Sequence, residues 1–503
     1  MVLGIDLGTS NTVAATLSRD GSPVIVPDAY NKNETSTPSI ALLDGKKAFI
    51  GQFAENLYEI YPQKSVVSHF KRNFGTQEPV YFDEKNNPWF SESIAALVLK
   101  KIKYDTEMYM PDGFTNSVIT VPAHYNDVQR KSVIEAARLA NFPLSAILEE
   151  PVAAALCYGN TANIEDEIIL VYDFGGGTFD LTLITKSKNQ LHVIAKDGVN
   201  KLGGKEFDEI VSNTIQNNFY FATKKAFPTD RLTQNRLKKV AEQIKIQLND
   251  SDQPRDFTKW MMFGRDAFEC KFNYEQYASA ALQLIQKTDS AVSRCLRSLG
   301  MQLSDVNKFV LIGGTSSSKM VYNYWNQKMG PHQQLIYHQP LSSVAKGAAL
   351  YANSLQQSEQ SDIRPVELRS VSTYNIGLRL NQQTNIDLAI HRNTPLPVTA
   401  KKAYRINPNQ QRSFQVQLCQ FWDAAEDVHE LGNIVINQLP LVNDLMIEIQ
   451  IENRLNGTIG VKVKNGDNGQ DIRFEFHKKN AQHKYDFQEQ LDLVNQVFVN
   501  NYI

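Results

Sequence analysis

Residues 171–184 restrict the fold of this chain more than any other stretch. They read Val171-Tyr172-Asp173-Phe174-Gly175-Gly176-Gly177-Thr178-Phe179-Asp180-Leu181-Thr182-Leu183-Ile184. An apolar run ending in Asp, three consecutive glycines, then Thr and a second β-rich run predict a buried strand, a tight turn and a returning strand. Glycine has no Cβ, so the backbone there can approach a phosphate and aim its N–H groups at it, and Asp173 falls where a hydrated Mg2+ would sit. Such a turn suits a triphosphate, but a single glycine-rich hairpin is as readily a plain β-turn.

The N-terminus repeats the grammar. Leu3-Gly4-Ile5-Asp6-Leu7-Gly8-Thr9-Ser10-Asn11-Thr12-Val13 is again apolar strand, Asp, Gly, Thr and apolar strand. Two such hairpins predict two similar lobes facing each other, each giving a phosphate-binding turn and an Asp to one cleft. A third piece, Lys308-Phe309-Val310-Leu311-Ile312-Gly313-Gly314-Thr315-Ser316, runs a strand into a Gly-Gly turn that lets a flat ring or a ribose lie against bare backbone.

With these words, and with Phe70-Lys71-Arg72-Asn73-Phe74-Gly75, Val121-Pro122-Ala123, Asn126-Asp127-Val128-Gln129-Arg130, Glu150-Pro151-Val152-Ala153-Ala154-Ala155 and Leu202-Gly203-Gly204-Lys205-Glu206-Phe207-Asp208, the sequence resembles the 70-kilodalton heat-shock chaperones, a family of the actin-like ATPase and sugar kinase superfamily. The resemblance covers roughly the first 350 residues. It implies an α/β actin-like two-lobed ATPase domain over 1–355, a linker over 356–371, an all-β sandwich over 372–480 that binds extended peptides, and one short C-terminal helix over 481–503.

The resemblance also implies roles. Asp6 and Asp173 hold hydrated Mg2+ through water, with K+ as a further candidate ion; Gly8, Thr9, Ser10, Asn11, Gly175, Gly176, Gly177 and Thr178 cradle the phosphates of ATP or ADP. Gly203, Gly204, Gly313 and Gly314 complete the nucleotide pocket. Lys71 and Glu150 position the attacking water, while Pro122 and Arg130, with Glu150, relay nucleotide state to the peptide domain. On composition alone Lys71 is a solvated surface residue, Pro122 a helix stop and Arg130 half of a surface ion pair.

Three departures from the family pattern stand out. The family stacks adenine between two Arg side chains, and this chain has Ile246, on a helix with Glu242 and Lys245, and Ser317 at those places. The cation–π sandwich is therefore lost on both sides, at about 0.5 to 2 kcal/mol per contact. The family's leucine-rich linker ending in Asp is replaced by Val366-Glu367-Leu368-Arg369-Ser370-Val371, and Ala146 stands in place of an Arg on the J-domain contact surface, so coupling to a J-domain partner is in doubt. Last, the family's long helical lid has no counterpart: residues 480–503 supply one amphipathic helix, with Phe487, Leu491, Val494 and Phe498 as its stripe.

From 373 to 477 the apolar period changes to two, with turns such as Asn456-Gly457 and Asn465-Gly466, which predicts the β-sandwich directly. By ungapped comparison Leu378, Tyr404, Phe414 and Val416 line the peptide site, and each is as readily ordinary core. Composition narrows the partners. Lys+Arg 52 against Asp+Glu 54 gives no basic field for nucleic acid. Cys157, Cys270, Cys295 and Cys419 form no Cys-x-x-Cys arrangement and read as reduced structural thiols. No secretory leader or membrane-length apolar run is evident, so a cytoplasmic protein is expected. The leading expectation is an ATPase chaperone acting on extended polypeptides, with a J-domain protein and a nucleotide-exchange factor as candidate co-chaperones. The alternatives are a non-cycling co-chaperone that binds ATP without much hydrolysis and, less favoured, a sugar kinase, for which no cleft Asp is assigned to activate a sugar hydroxyl.

Overall fold

The computed structural model describes residues 1–499 apart from 32, 61–65, 77, 162–166, 188–189, 200, 251–254, 338–341, 359–366, 381–384, 410–411, 424–425, 438, 440–441 and 478–484. The two hairpins read from the sequence each lie within a larger sheet. In the first, Val2–Leu7 pairs antiparallel with Asn11–Leu17, and Asn116–Val121 and Leu144–Glu149 continue in parallel on the other side of Val2–Leu7. In the second, Glu167–Phe174 pairs antiparallel with Phe179–Ser187, and Lys308–Ile312 and Gln334–Tyr337 extend it in parallel. The shared grammar of the two sequences thus gives the same strand arrangement twice.

Helices Glu150–Thr161 and Ser343–Ser358 hold the sheets together through small residues. A Cβ on Gly4 would stand 2.1 Å from the amide nitrogen of Ala349, and one on Gly347 would stand 1.7 Å from the carbonyl oxygen of Ala153. Backbone approach this close admits only glycine, so Gly4 serves packing here, not phosphate binding.

Helix Asp127–Leu139 starts at the expected cap: Asn126 accepts from the Gln129 amide, and the Gln129 side chain accepts from the Asn126 amide. Helix Arg231–Asp250 buries Leu237, Ala241, Ile244 and Leu248, a four-three-four spacing that leaves Ile246 on the outward face.

Residues 375–477 form a β-sandwich. One sheet runs Asp387–Ile390, Asn375–Leu380, Phe414–Asp423, Glu426–Ile436, Glu475–His477, and the other Val398–Ile406, Leu445–Asn453, Ile459–Asn465. Strand Leu445–Asn453 alternates buried and half-buried residues along its length, with Ile447, Ile449 and Ile451 facing the core. Each such side chain contributes about 1.5 to 3 kcal/mol of apolar burial.

Two segments differ from the sequence reading. Part of the expected linker, 359–366, lies outside the described residues, but Glu367–Arg369 is a strand, paired in parallel with Gln190–His192 at the edge of the second sheet. Leu368 packs on that lobe's core and Val371 is buried, so the two charges that dilute the linker's apolar character do not keep it from docking. In a strand, alternation lets Leu368 face inward while the exposed Arg369 faces out.

The C-terminal helix, Phe487–Gln496, packs on the first lobe, against helices Ser91–Tyr109 and Asp127–Leu139. Gln490 is buried there, bonding to Ser93 and to the Pro88 carbonyl. Phe498–Val499 then adds a parallel strand beside Lys47–Ile50. Because the helix ends at Gln496, Val497 takes the buried place expected of Phe498, which is exposed.

Candidate functional site

The two glycine turns meet. A Cβ on Gly176 would lie 2.7 Å from Ser10 Oγ, so the turn of the second lobe stands directly against that of the first. Gly203 packs on the same turn, where its Cβ would fall 2.5 Å from the Gly177 amide nitrogen, and helix Gly204–Thr223 starts there with the Gly204 and Lys205 amides on the carbonyls of Gly175 and Gly176. Gly313, at φ +86°, closes the far side: its Cβ would lie 2.5 Å from Asp173 Oδ1. Thr315 and Ser316 tie the Gly-Gly turn to Gly175 and Phe174 through their hydroxyls. Residues 4–13, 171–184, 202–208 and 308–316 are therefore one constellation.

Lys71 lies on a short 3-10 turn, Phe70–Asn73, and is buried, not a solvated surface residue. Its ammonium bonds Glu150 at 2.6 Å, and its carbonyl accepts from the Tyr125 hydroxyl. Glu150 opens helix Glu150–Thr161. Asp6 and Asp173 end their strands beside this pair, and Asp180 is the cross-strand partner of Asp173.

So many carboxylates in one dry place resist ionising together. Asp173 is held well above the usual carboxylate range by burial first, then by Glu150, Asp180 and Asp6, with Lys71 opposing. Burial likewise raises Glu150 against the pull of Lys71. Asp6 keeps some surface but is walled in, and its carboxyl is pushed up to about 7 by lost solvation and then by Glu150.

This donor set fits a divalent cation held through water. Asp180 Oδ2 is buried without a partner, and the carboxylates share too little positive charge to ionise unaided. Among the described residues no group of three or more His, Cys, Asp or Glu side chains is placed to hold a metal ion directly.

The residues expected to meet the base are less buried than this cluster. Ile246 is 50% exposed, and Glu242 is exposed beside it. Lys245 pairs with Asp208 at 2.9 Å, and the Ser317 hydroxyl turns back on the Gly314 carbonyl.

Pro122 closes strand Asn116–Val121, and Arg130 is buried at the foot of the sandwich. The guanidinium bonds the carbonyls of Ala123, Tyr125 and Asn456, and its charge meets Glu149 at 2.9 Å. The sequence reading grouped Arg130 with Glu150. The structure divides the adjacent carboxylates: Glu150 serves the cleft and Glu149 the domain contact, as residues on either side of a strand-to-helix junction point apart.

Several residues at these places went unread in the sequence. Arg72 bridges the lobes, with its guanidinium on the Gly176 carbonyl and near Glu206. Asp180 accepts from the amide and the ring of His124. Lys196, fully buried, bonds Glu149, Ser370 Oγ and the Val371 carbonyl. Adjacency to Lys71 could have pointed to Arg72, and Asp180 lies within the 171–184 motif; nothing local marks Lys196.

Of the expected peptide-site residues, Leu378, Phe414 and Val416 are buried in the sandwich core. Tyr404 is half-buried, with its hydroxyl on Asp387 and its ring against Phe414. Among the described residues no helix is long and apolar enough to cross a membrane. A protein-family model described as Hsp70 protein matches residues 2–497 of the 503, nearly the whole length over which these turns, lobes and sandwich are built, and the chain therefore belongs to the Hsp70 family.

Proposed function

We propose that this Hsp70-family chain is an ATPase chaperone in which nucleotide held between the two glycine turns governs how the β-sandwich holds extended apolar polypeptide. The single observation that carries the reading is the meeting of the two turns beside the 2.6 Å Lys71–Glu150 pair. The backbone amides of residues 8–11 and 175–178 would bind the phosphates, and Asp6 and Asp173 would hold hydrated Mg2+. Mg2+ neutralises phosphate charge and so lets the γ-phosphoryl accept a nucleophile. Glu150 would accept a hydrogen bond from the attacking water, and Lys71 would orient that water and stabilise charge developing on the γ-phosphoryl oxygens.

The alternative is a non-cycling co-chaperone that binds ATP and scarcely turns it over. Single-turnover hydrolysis separates the two, measured with and without an extended apolar peptide and a J-domain protein. Turnover that either ligand accelerates, and that Lys71→Ala abolishes while nucleotide binding survives, supports the chaperone cycle. Turnover undiminished in Lys71→Ala overturns the role given to Lys71, and binding without turnover under every condition favours the second reading.

A further inference from the structure

A turn that binds an anion through its amides has to turn its carbonyls away, because a carbonyl oxygen aimed at a phosphate repels it. The second glycine turn does so with several donors: the Gly175 carbonyl accepts from the Gly204 amide and from Thr315 Oγ1 at 2.8 Å, and the Gly176 carbonyl from the Lys205 amide and the Arg72 guanidinium. In the first turn a single residue, Ser39, plays this part. Its amide donates to the Ser10 carbonyl at 2.7 Å, and its hydroxyl donates to the Gly8 carbonyl at 2.8 Å.

With its one proton on Gly8, the hydroxyl accepts from Thr12 Oγ1 at 2.9 Å. Ser39 and Thr12 are both almost wholly buried, so water cannot take over these bonds without the local structure opening. Ser39 owes its place to the short strand Thr37–Pro38, which pairs antiparallel with Asn11 and Thr12. The turn it holds is tight: a Cβ on Gly8 would stand 2.1 Å from the Asn11 carbonyl oxygen.

In a trans peptide the N–H of one residue points opposite to the carbonyl before it. Holding the Gly8 carbonyl therefore fixes the direction of the Thr9 amide, and holding the Ser10 carbonyl fixes that of the Asn11 amide. We infer that Ser39 is a positioning residue for the first phosphate turn, aiming the Thr9 and Asn11 amides at the phosphates of the bound nucleotide from a strand outside the hairpin. The inference rests on the proposed nucleotide reading and adds to it a residue that acts through the turn alone.

The test is Ser39→Ala in the full chain, which removes the hydroxyl and keeps the amide. Losing one hydrogen bond predicts that Mg2+·ATP binds about fivefold more weakly, while adenosine, which has no phosphates, binds within about twofold of wild type. Equal weakening of both ligands, as a merely structural role would give, or an unchanged affinity for Mg2+·ATP overturns the inference. Ser39→Cys, close in shape and a much weaker donor, takes the place of Ser39→Ala should that chain fail to fold.

Hydrogen exchange in the ligand-free chains tests the role of Ser39 apart from nucleotide. The substitution should speed exchange of the amide at position 39, which the Ser10 carbonyl holds, and leave residues 3–6 and 13–16 of the hairpin strands unchanged. Uniform acceleration over the hairpin, or none at position 39, overturns the inference. If the wild-type chain binds no nucleotide, the functional reading fails by itself, and the exchange pattern still decides whether Ser39 holds the turn.

Discussion

Replacing Lys196 by Met should release the linker from the second lobe while leaving both lobes folded. The ammonium makes three bonds at 2.7 to 2.9 Å: one to Glu149 and two, to Ser370 Oγ and the Val371 carbonyl, that reach directly into the linker. Hydrogen bonds from a charged donor contribute about 1.5 kcal/mol each at the low end, so the two linker bonds contribute about 3 kcal/mol. Part of this is offset, since burial lowers the Lys196 pKa against the pull of Glu149, and Met of similar length recovers about 1 kcal/mol of desolvation. Glu149 is not stranded, because Arg130 remains on the same oxygen.

The net loss of about 2 kcal/mol corresponds to a roughly 30-fold rise in the undocked fraction of the linker. Hydrogen exchange of residues 367–371, with tryptic cleavage after the exposed Arg369 as a second readout, reports that fraction, because both require the strand to leave the sheet. Exchange unchanged within about twofold would refute the reasoning and mean that the three-residue ladder and Leu368 burial hold the linker without the ammonium.

The remaining predictions concern the cleft and the cores. Placing Arg at both Ile246 and Ser317 should tighten ATP binding about tenfold or more by rebuilding a cation–π sandwich, measured by equilibrium titration; no change would mean that adenine lies elsewhere. Asp6→Asn should stabilise the ligand-free chain in a pH-dependent way. The Asp6 carboxyl rises from 3.8 to about 7 on folding, so the folded state holds its proton more tightly, and wild-type stability falls as pH rises from about 4 to 7. The variant's thermal midpoint should therefore match wild type near pH 4 and exceed it most above pH 7, and an offset constant with pH would refute the assignment. Burial pushes the Cys270 and Cys295 thiols up to about 12 and Cys419 to about 11, so none should react with an aromatic disulfide at pH 8 until the protein unfolds. Reaction of any of these thiols in the native protein would contradict the burial.

What could be read from the sequence was what local pattern encodes. The strand, Asp, glycine-turn words marked both hairpins, and the Asn126 cap and the period-two run of 445–453 were visible because each depends on neighbours within a few residues. Contacts between distant segments left no such trace. The Glu149 and Glu150 carboxylates are adjacent, and only the path of the chain after them decides which faces Lys71 and which faces Arg130. Lys196 looks like any strand lysine until Ser370 and Val371 arrive from 174 residues or more away. The charged residues of 366–371 set it apart from a leucine-rich linker in the sequence, whereas pairing of 367–369 with Gln190–His192 needs only Leu368 to face the core.

The strand formed by Phe498 and Val499 has a consequence for the order in which the protein is made. Its partner, Lys47–Ile50, leaves the ribosome some 450 residues earlier, an interval of roughly 20 to 90 s at ordinary elongation rates. During that time the edge of the first lobe's small sheet has open backbone groups, and the groove that will take Gln490 and Val494 is uncovered. The first lobe of this Hsp70-family protein is thus completed only after the second lobe and the sandwich have been synthesised.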